Sequence, residues 1–135
     1  MMSAPSLPPL TIASTDYDDL LLYAGMAKQK GDRNAEFMLA ELRRAKLCDP
    51  GELPDDIVST NCRVIYRLDE ASKPTAHLLV HPRHLLWPDA ELSVMTPVGI
   101  ALLGLRVGDT MPFVAGDDSI EHEVRVEGVG LRFLA

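Results

Sequence analysis

From Asp16 the chain repeats apolar residues at helical spacing. Tyr17, Leu21, Ala24 and Lys28 form a four–three–four series with Leu20 and Ala27 beside it, a stripe of about three to four turns. Ser14, Thr15 and Asp16 offer cap oxygens, acids fill the first turn (Asp16, Asp18, Asp19), and Lys28 and Lys30 close the last, as the helix dipole favours. Gly31 breaks the run, and Asp32 or Asn34 can cap a second helix. Its stripe is Ala35, Met38, Leu42 and Ala45, with Glu41, Arg43, Arg44 and Lys46 largely outside it. Two such helices and a short Gly-Asp turn predict an antiparallel hairpin, each arm about 20–22 Å long. Its turn, with Asp32, is expected to be the point furthest from the rest of the fold.

Residues 49–56, with two prolines and a glycine, cannot continue a helix and mark a linker. Beyond it the period changes to two. Within Ile57 to Leu68, Cys62, Val64, Tyr66 and Leu68 alternate with Arg63, Ile65 and Arg67. Ala76 to Leu86 predicts a second strand that Pro82 ends, kinks or confines to an edge, with a hairpin turn from Asp69 to Pro74 between the two. Leu92 and Val94 give a short strand, and Thr96-Pro97 is a helix start, a hydroxyl cap followed by proline. Val98 to Leu103 are apolar nearly all round, so this short helix should be buried, with Gly104 placed to stop it. Arg106 to Asp109 is a polar turn into the strand Thr110 to Val114. A turn at Gly116-Asp117-Asp118 then leads back through Ile120 to Val126 and toward Leu131. His122, Val124 and Val126 alternate with charged residues, and Gly128-Val129-Gly130 lets the last strand bend. The expected class is α+β: a helical hairpin, then four or five antiparallel strands with one inserted helix.

Composition narrows the function. At 135 residues, 47% hydrophobic and 24% charged, the chain is one domain with at most a small appendage, and it can build a core. No apolar run approaches the roughly 18 residues that span a bilayer. The opening MMSAPSLPPL lacks a basic flank and carries three prolines, so it is expected to be a loose tail (residues 1–14) rather than a leader or anchor. Cys48 and Cys62 are too few for a disulfide scaffold, and a cytoplasmic protein is the simplest account. Twenty acids against thirteen bases give a formal charge of −7, and the longest basic cluster is Arg43, Arg44 and Lys46. Strong direct binding to nucleic acid is therefore not expected, and a protein partner with a basic surface is. A monomer is the simpler expectation, with dimerisation through the exposed helices left open.

Sites for chemistry are sparse. His77 and His81 would share a strand face near His84, and His122 lies far along the chain, but no thiolate pair or His-Glu-x-x-His spacing supports a metal centre. Asp18-Asp19, Asp55-Asp56 and Asp117-Asp118 have the look of cap and turn residues. There is no nucleophile elbow and no phosphate loop with lysine. The expectation is a protein that is not an enzyme, with no cofactor and no metal. Asp32 stands apart: it is either a helix cap or a projecting acid for a partner's basic group or metal ion.

Two stretches carry a resemblance. AELRRAKLCDPGELPDDIVSTNCRV (Ala40 to Val64) and LSVMTPVGIALLGLRVGD (Leu92 to Asp109) closely resemble the Rnk family, the regulators of nucleoside diphosphate kinase, which belong with the bacterial GreA/GreB transcript-cleavage factors. The similarity runs from about Ser14 to Leu131 and is weaker around the histidine-bearing strand. It implies a short antiparallel coiled coil (residues 15–48), a linker (49–56) and an FKBP-like sheet domain (57–135). In the Gre proteins the sheet domain binds RNA polymerase at the rim of its secondary channel, and acids at the coiled-coil tip help to hold a catalytic magnesium. Rnk proteins are similar in design, with a shortened coiled coil, and the resemblance implies competition with the channel factors.

Residue by residue, Lys30-Gly31-Asp32-Arg33-Asn34-Ala35-Glu36-Phe37 resembles the Gre tip. Asp32 matches the first tip acid. The second falls in a segment this chain lacks, where Arg33 alone occupies the gap, and Glu36 matches a later residue. Arms this short cannot cross a channel that the longer coiled coils need about twice as many residues to traverse, so loss of cleavage stimulation is expected. By resemblance, Thr96, Pro97, Val98 and Gly99 and the turn Arg106, Val107, Gly108 and Asp109 lie near the polymerase-docking surface. Arg106 is either the exposed anchor, as arginines at interfaces often are, or a solvated turn residue. Two rival readings remain: an FKBP-like prolyl isomerase or peptide-binding module, for which Tyr66, Trp87 and Phe113 are few aromatics, and direct control of nucleoside diphosphate kinase or nucleotide pools.

Overall fold

The computed structural model describes residues 7–114 and 120–132. The expected turn at Gly116-Asp117-Asp118 lies outside them, as do the first six residues. The elements run β1 (Thr11–Ala13), α1 (Ser14–Gln29), α2 (Asn34–Arg44), β2 (Lys46–Cys48), β3 (Cys62–Leu68), β4 (Thr75–Val80), β5 (Glu91–Ser93), α3 (Pro97–Leu102), β6 (Thr110–Val114) and β7 (Glu121–Arg132). The fold is mixed α+β. One sheet has the order β5-β4-β3-β7-β6, and β1 and β2 form a separate two-stranded ribbon.

Period-two patterning does what it should in β3, where Cys62, Val64 and Tyr66 are buried between exposed Arg63 and Ile65. Its pairing with β7 slips between Ile65↔Gly128 and Tyr66↔Val126, so Glu127 is an extra residue that bends the longest strand. Of the three roles open to Pro82, the structure shows the first: β4 ends at Val80, and Pro82 opens a single tight turn. One strand expectation changes. β5 runs parallel to β4, not antiparallel, because residues 81–90 carry the chain back to the level of Leu78, midway along β4, before it re-enters the sheet.

The N-terminal tail also differs from expectation. Leu10 and Ile12 are buried, and Thr11–Ala13 pairs in parallel with Lys46–Cys48. The strand runs straight into α1, so the helix is capped at Ala13 without a side-chain bond and Ser14 lies inside it. Gly104 completes this join. Its φ of 82° suits glycine, and a Cβ there would stand 3.2 Å from both Leu10 Cβ and the Thr11 carbonyl oxygen.

The hairpin forms, with α1 about 24 Å and α2 about 16 Å long at the usual helical rise. It does not project. Leu20, Ala24, Met38 and Leu42 belong to the same continuous core as Val64, Leu79, Ile100, Phe113 and Val124 of the sheet and α3. The buried stripe of α1 is therefore centred on Leu20 and Ala24, and Leu21 is 43% exposed. On α2 the stripe is wider than its apolar residues suggest, since Glu41 is 97% buried.

Candidate functional site

The segment from Ser93 to Asp109 is built as a rigid unit. Thr96 Oγ1 donates to the Ser93 carbonyl at 2.7 Å and accepts the Gly99 N–H at 3.1 Å, closing the turn before α3 and capping it together. A Cβ on Gly99 would lie 2.3 Å from the Ser93 carbonyl oxygen, so no other residue fits that approach. Ile100 to Leu103 and Leu105 are buried. Past the helix, the Asp109 carboxylate accepts the Arg106 N–H at 3.0 Å, and the Asp109 N–H returns to the Arg106 carbonyl at 2.9 Å. The Arg106 guanidinium reaches Asp56 at 3.0 and 3.3 Å, with both side chains largely in solvent. Such exposed pairs contribute at most about 1 kcal/mol, so Arg106 can exchange Asp56 for another carboxylate at little cost.

Thr96, Pro97 and Val98 are half-buried, Gly99 is buried, Asp109 is half-buried, and Arg106 and Gly108 are exposed. Gly99 thus shapes the turn and presents no side chain or open surface. Thr96 and Arg106 stand at opposite ends of α3. At the hairpin turn, Asp32 and Arg33 are exposed, and Asp32 Oδ1 accepts the Asn34 N–H at 2.9 Å. Asp32 caps α2. The turn is not the point furthest from the sheet domain: the Asn34 side-chain amide donates to the Met95 carbonyl at 2.9 Å. The tip and the Thr96 turn are brought together, and the Arg106 turn is not part of that junction. No group of three or more metal-ligating side chains occurs among the described residues.

Several partnerships escaped the sequence reading. Asp16 accepts from Thr60 Oγ1 at 2.7 Å and lies 3.9 Å from His81. The His81 ring packs on Tyr23 with centroids 5.5 Å apart, and Arg83 sits 6.0 Å above the Tyr23 ring. Burial pushes the His81 imidazole below its usual value, opposed in part by Asp16 and Asp19. Glu41 makes a forked pair with Arg44 at 2.9 and 3.0 Å, and Arg44 also donates to the Pro8 carbonyl. The i,i+3 spacing of Glu41 and Arg44 beside Met38 and Leu42 was the available clue. The remaining three histidines have neighbours of their own, His77 with Tyr66 at 2.9 Å, His122 with Asp69 at 2.6 Å, and His84 edge-on to the His81 ring with centroids 5.6 Å apart. Glu91 Oε1 accepts the N–H groups of both Leu86 and Trp87 at 2.7 Å, which holds the Trp87 ring, 69% exposed, on a tied loop.

No family model matches the chain. The fold is similar to that of a prokaryotic transcription elongation factor GreA/GreB from Nitrosomonas europaea, with a TM-score of 0.71 and 29% identity over 90% of this chain and 99% of that one. The architecture is thus of the GreA/GreB kind. A curated regulator of nucleoside diphosphate kinase from Escherichia coli (strain K12) is 38% identical over 106 residues, 78% of each chain, and its Shigella flexneri counterpart aligns equally well. The chain belongs to this family, the regulators of nucleoside diphosphate kinase (Rnk).

Proposed function

We propose that the protein is a non-enzymatic transcription regulator that binds RNA polymerase near its secondary channel, competes with Gre-type factors and does not stimulate transcript cleavage. The carrying observation is the rigid Ser93 to Asp109 unit, in a chain whose fold matches a GreA/GreB factor over nearly its whole length. A surface fixed before binding loses little further entropy on docking. Thr96 to Val98 and the Arg106 turn are the contact residues of this reading, and the sheet with its inserted helix is read as FKBP-like in architecture.

The hairpin supports the absence of cleavage activity. It carries one tip acid, Asp32, which caps α2. Extending the arms as a probe would strip Leu20, Ala24, Met38 and Leu42 from the shared core. Each Leu or Met so exposed costs about 1.5–3 kcal/mol. Isomerase activity is not proposed: Tyr66 and Phe113 are buried in the core while Trp87 is exposed, so the three aromatics do not line one pocket. The name of the relatives favours a second reading, a direct complex with nucleoside diphosphate kinase.

The test is binding of the purified protein to core RNA polymerase, with and without a competing Gre factor, followed by transcript cleavage in the same complexes. Saturable binding displaced by the competitor, with no added cleavage, is expected. No binding at micromolar concentrations overturns the proposal, and binding to the purified kinase instead would establish the second reading.

A further inference from the structure

The outer face of α1 is apolar where a surface helix should be polar. Leu20 and Ala24 are fully buried on the inner side, yet Leu21, Leu22 and Met26 are 43%, 62% and 50% exposed on the other. With Asp18, Gly25 and Gln29 they line a shallow groove of about 470 Å³. A helix apolar on both sides is normally covered on both. The face is also ordered along its length: acids first (Asp18, Asp19), then the apolar group, then Gln29 and Lys30, with Lys28 at the edge toward α2, where it lies 3.9 Å from the exposed carboxylate of Glu36. A Cβ added to Gly25 would meet nothing within 4 Å, so the middle of the face offers an open notch.

We propose that this face is a self-association surface, on which α1 of a second copy of this chain packs antiparallel about a two-fold axis. The ordering of charges selects that occupant. Antiparallel packing sets Asp18 and Asp19 of each copy beside the lysine-bearing end of the other, and the two-fold repeats the match. It also lays Leu22 of each copy against the Gly25 notch and Met26 of the other, so large meets small. Parallel packing sets acid against acid and lysine against lysine. A self-complementary patch of this kind is what an isologous contact requires.

The net charge of −7 opposes association at long range, but that repulsion is screened within about 10 Å in ordinary buffers, which leaves the local pairing to decide. One helix face offers less than the roughly 1,000 Å² expected of a permanent interface, so the dimer is a weak, concentration-dependent one.

Sedimentation velocity of the full chain across the micromolar range, with circular dichroism as the check on folding, tests the proposal. The wild-type chain is expected to shift from monomer to dimer. Leu22→Asp, at an exposed position, is expected to raise the dissociation constant by at least about tenfold. The doubly substituted chains D18K/D19K and K28E/K30E should each be monomeric alone and form a mixed dimer when combined. A wild-type chain that stays monomeric throughout, a dimer that survives Leu22→Asp unchanged, or charge variants that do not pair on mixing would each overturn it. Should Leu22→Asp fail to fold, the two charge variants carry the test.

Discussion

The side-chain amide of Asn34, at the turn of the helical hairpin, donates to the main-chain carbonyl of Met95 at 2.9 Å. Met95 precedes Thr96, the residue that caps α3. The hairpin tip is thereby tied to the turn that opens the proposed docking segment. Asn34→Ala is expected to cost about 1 kcal/mol, the usual value of a partly buried hydrogen bond. Thermal unfolding measures that loss. Amide hydrogen exchange at Met95 to Gly99 should quicken in the same variant if the tie restrains the turn.

Glu41 and Arg44 form a pair in which the carboxylate is nearly fully buried and the guanidinium is three-quarters so. Arg44→Ala leaves that carboxylate without its counter-charge and should destabilise the fold by about 3–5 kcal/mol. Removing both, in Glu41→Ala with Arg44→Ala, should cost less than the Arg44 variant alone. Denaturant unfolding of the two variants checks the order.

Gly99→Ala forces a Cβ to within 2.3 Å of the Ser93 carbonyl, so α3 must shift or the turn must open. A loss of at least about 1–3 kcal/mol is expected. Thr96→Ala removes the cap and the bond to the Ser93 carbonyl and should cost about 1–2 kcal/mol. If Thr96 to Val98 contact polymerase, Gly99→Ala will weaken polymerase binding more than its effect on stability accounts for.

Asp32 gives a separation of roles. Asparagine caps as well as aspartate does, so Asp32→Asn should leave the melting temperature unchanged while Asp32→Ala lowers stability by about 1 kcal/mol. Neither variant should alter transcript cleavage. A change in cleavage with Asp32→Asn would restore a chemical role for the carboxylate.

Acid should loosen the grip of α1 on the sheet. Burial holds the His81 imidazole below its ordinary value, with Asp16 and Asp19 opposing and His84 and Arg83 reinforcing. The unfolded chain therefore binds the proton at higher pH than the folded one. The stability His81 contributes is complete above about pH 6.5 and is lost as pH falls through the lower folded value. His81→Phe should flatten that part of the pH–stability curve. Glu127 behaves likewise at lower pH: with Arg67 and Arg125 hydrogen-bonded to it, its carboxyl is held at about 2, so its contribution is complete above about pH 4.5 and is lost as pH falls from there through about 2.

Local patterns made most elements legible. The Thr96-Pro97 start, the Gly104 stop and the alternation of β3 each express a preference of a few neighbouring residues, and each appears where the sequence put it. What escaped was decided at long range. Nothing near Leu10 to Ala13 announces a parallel partner at Lys46 to Cys48, so the sequence there has the look of a tail where the fold has a buried strand. Leu21 repeats at helical spacing as well as Leu20 does, and only the position of the sheet decides which turns inward. Of the predicted site, the turns and their capping were readable. The Asn34 junction was not, because it joins positions far apart in the chain.

The core shared by hairpin and sheet bears on how this chain can change. Where arm and body hold separate interiors, one can be lengthened, exchanged or deleted while the other stands. Here Leu20, Ala24, Met38 and Leu42 close the interior of the sheet itself. A protease that enters the hairpin should leave no durable sheet fragment behind, and a longer arm grafted from another factor will hold only if it brings these four positions with it.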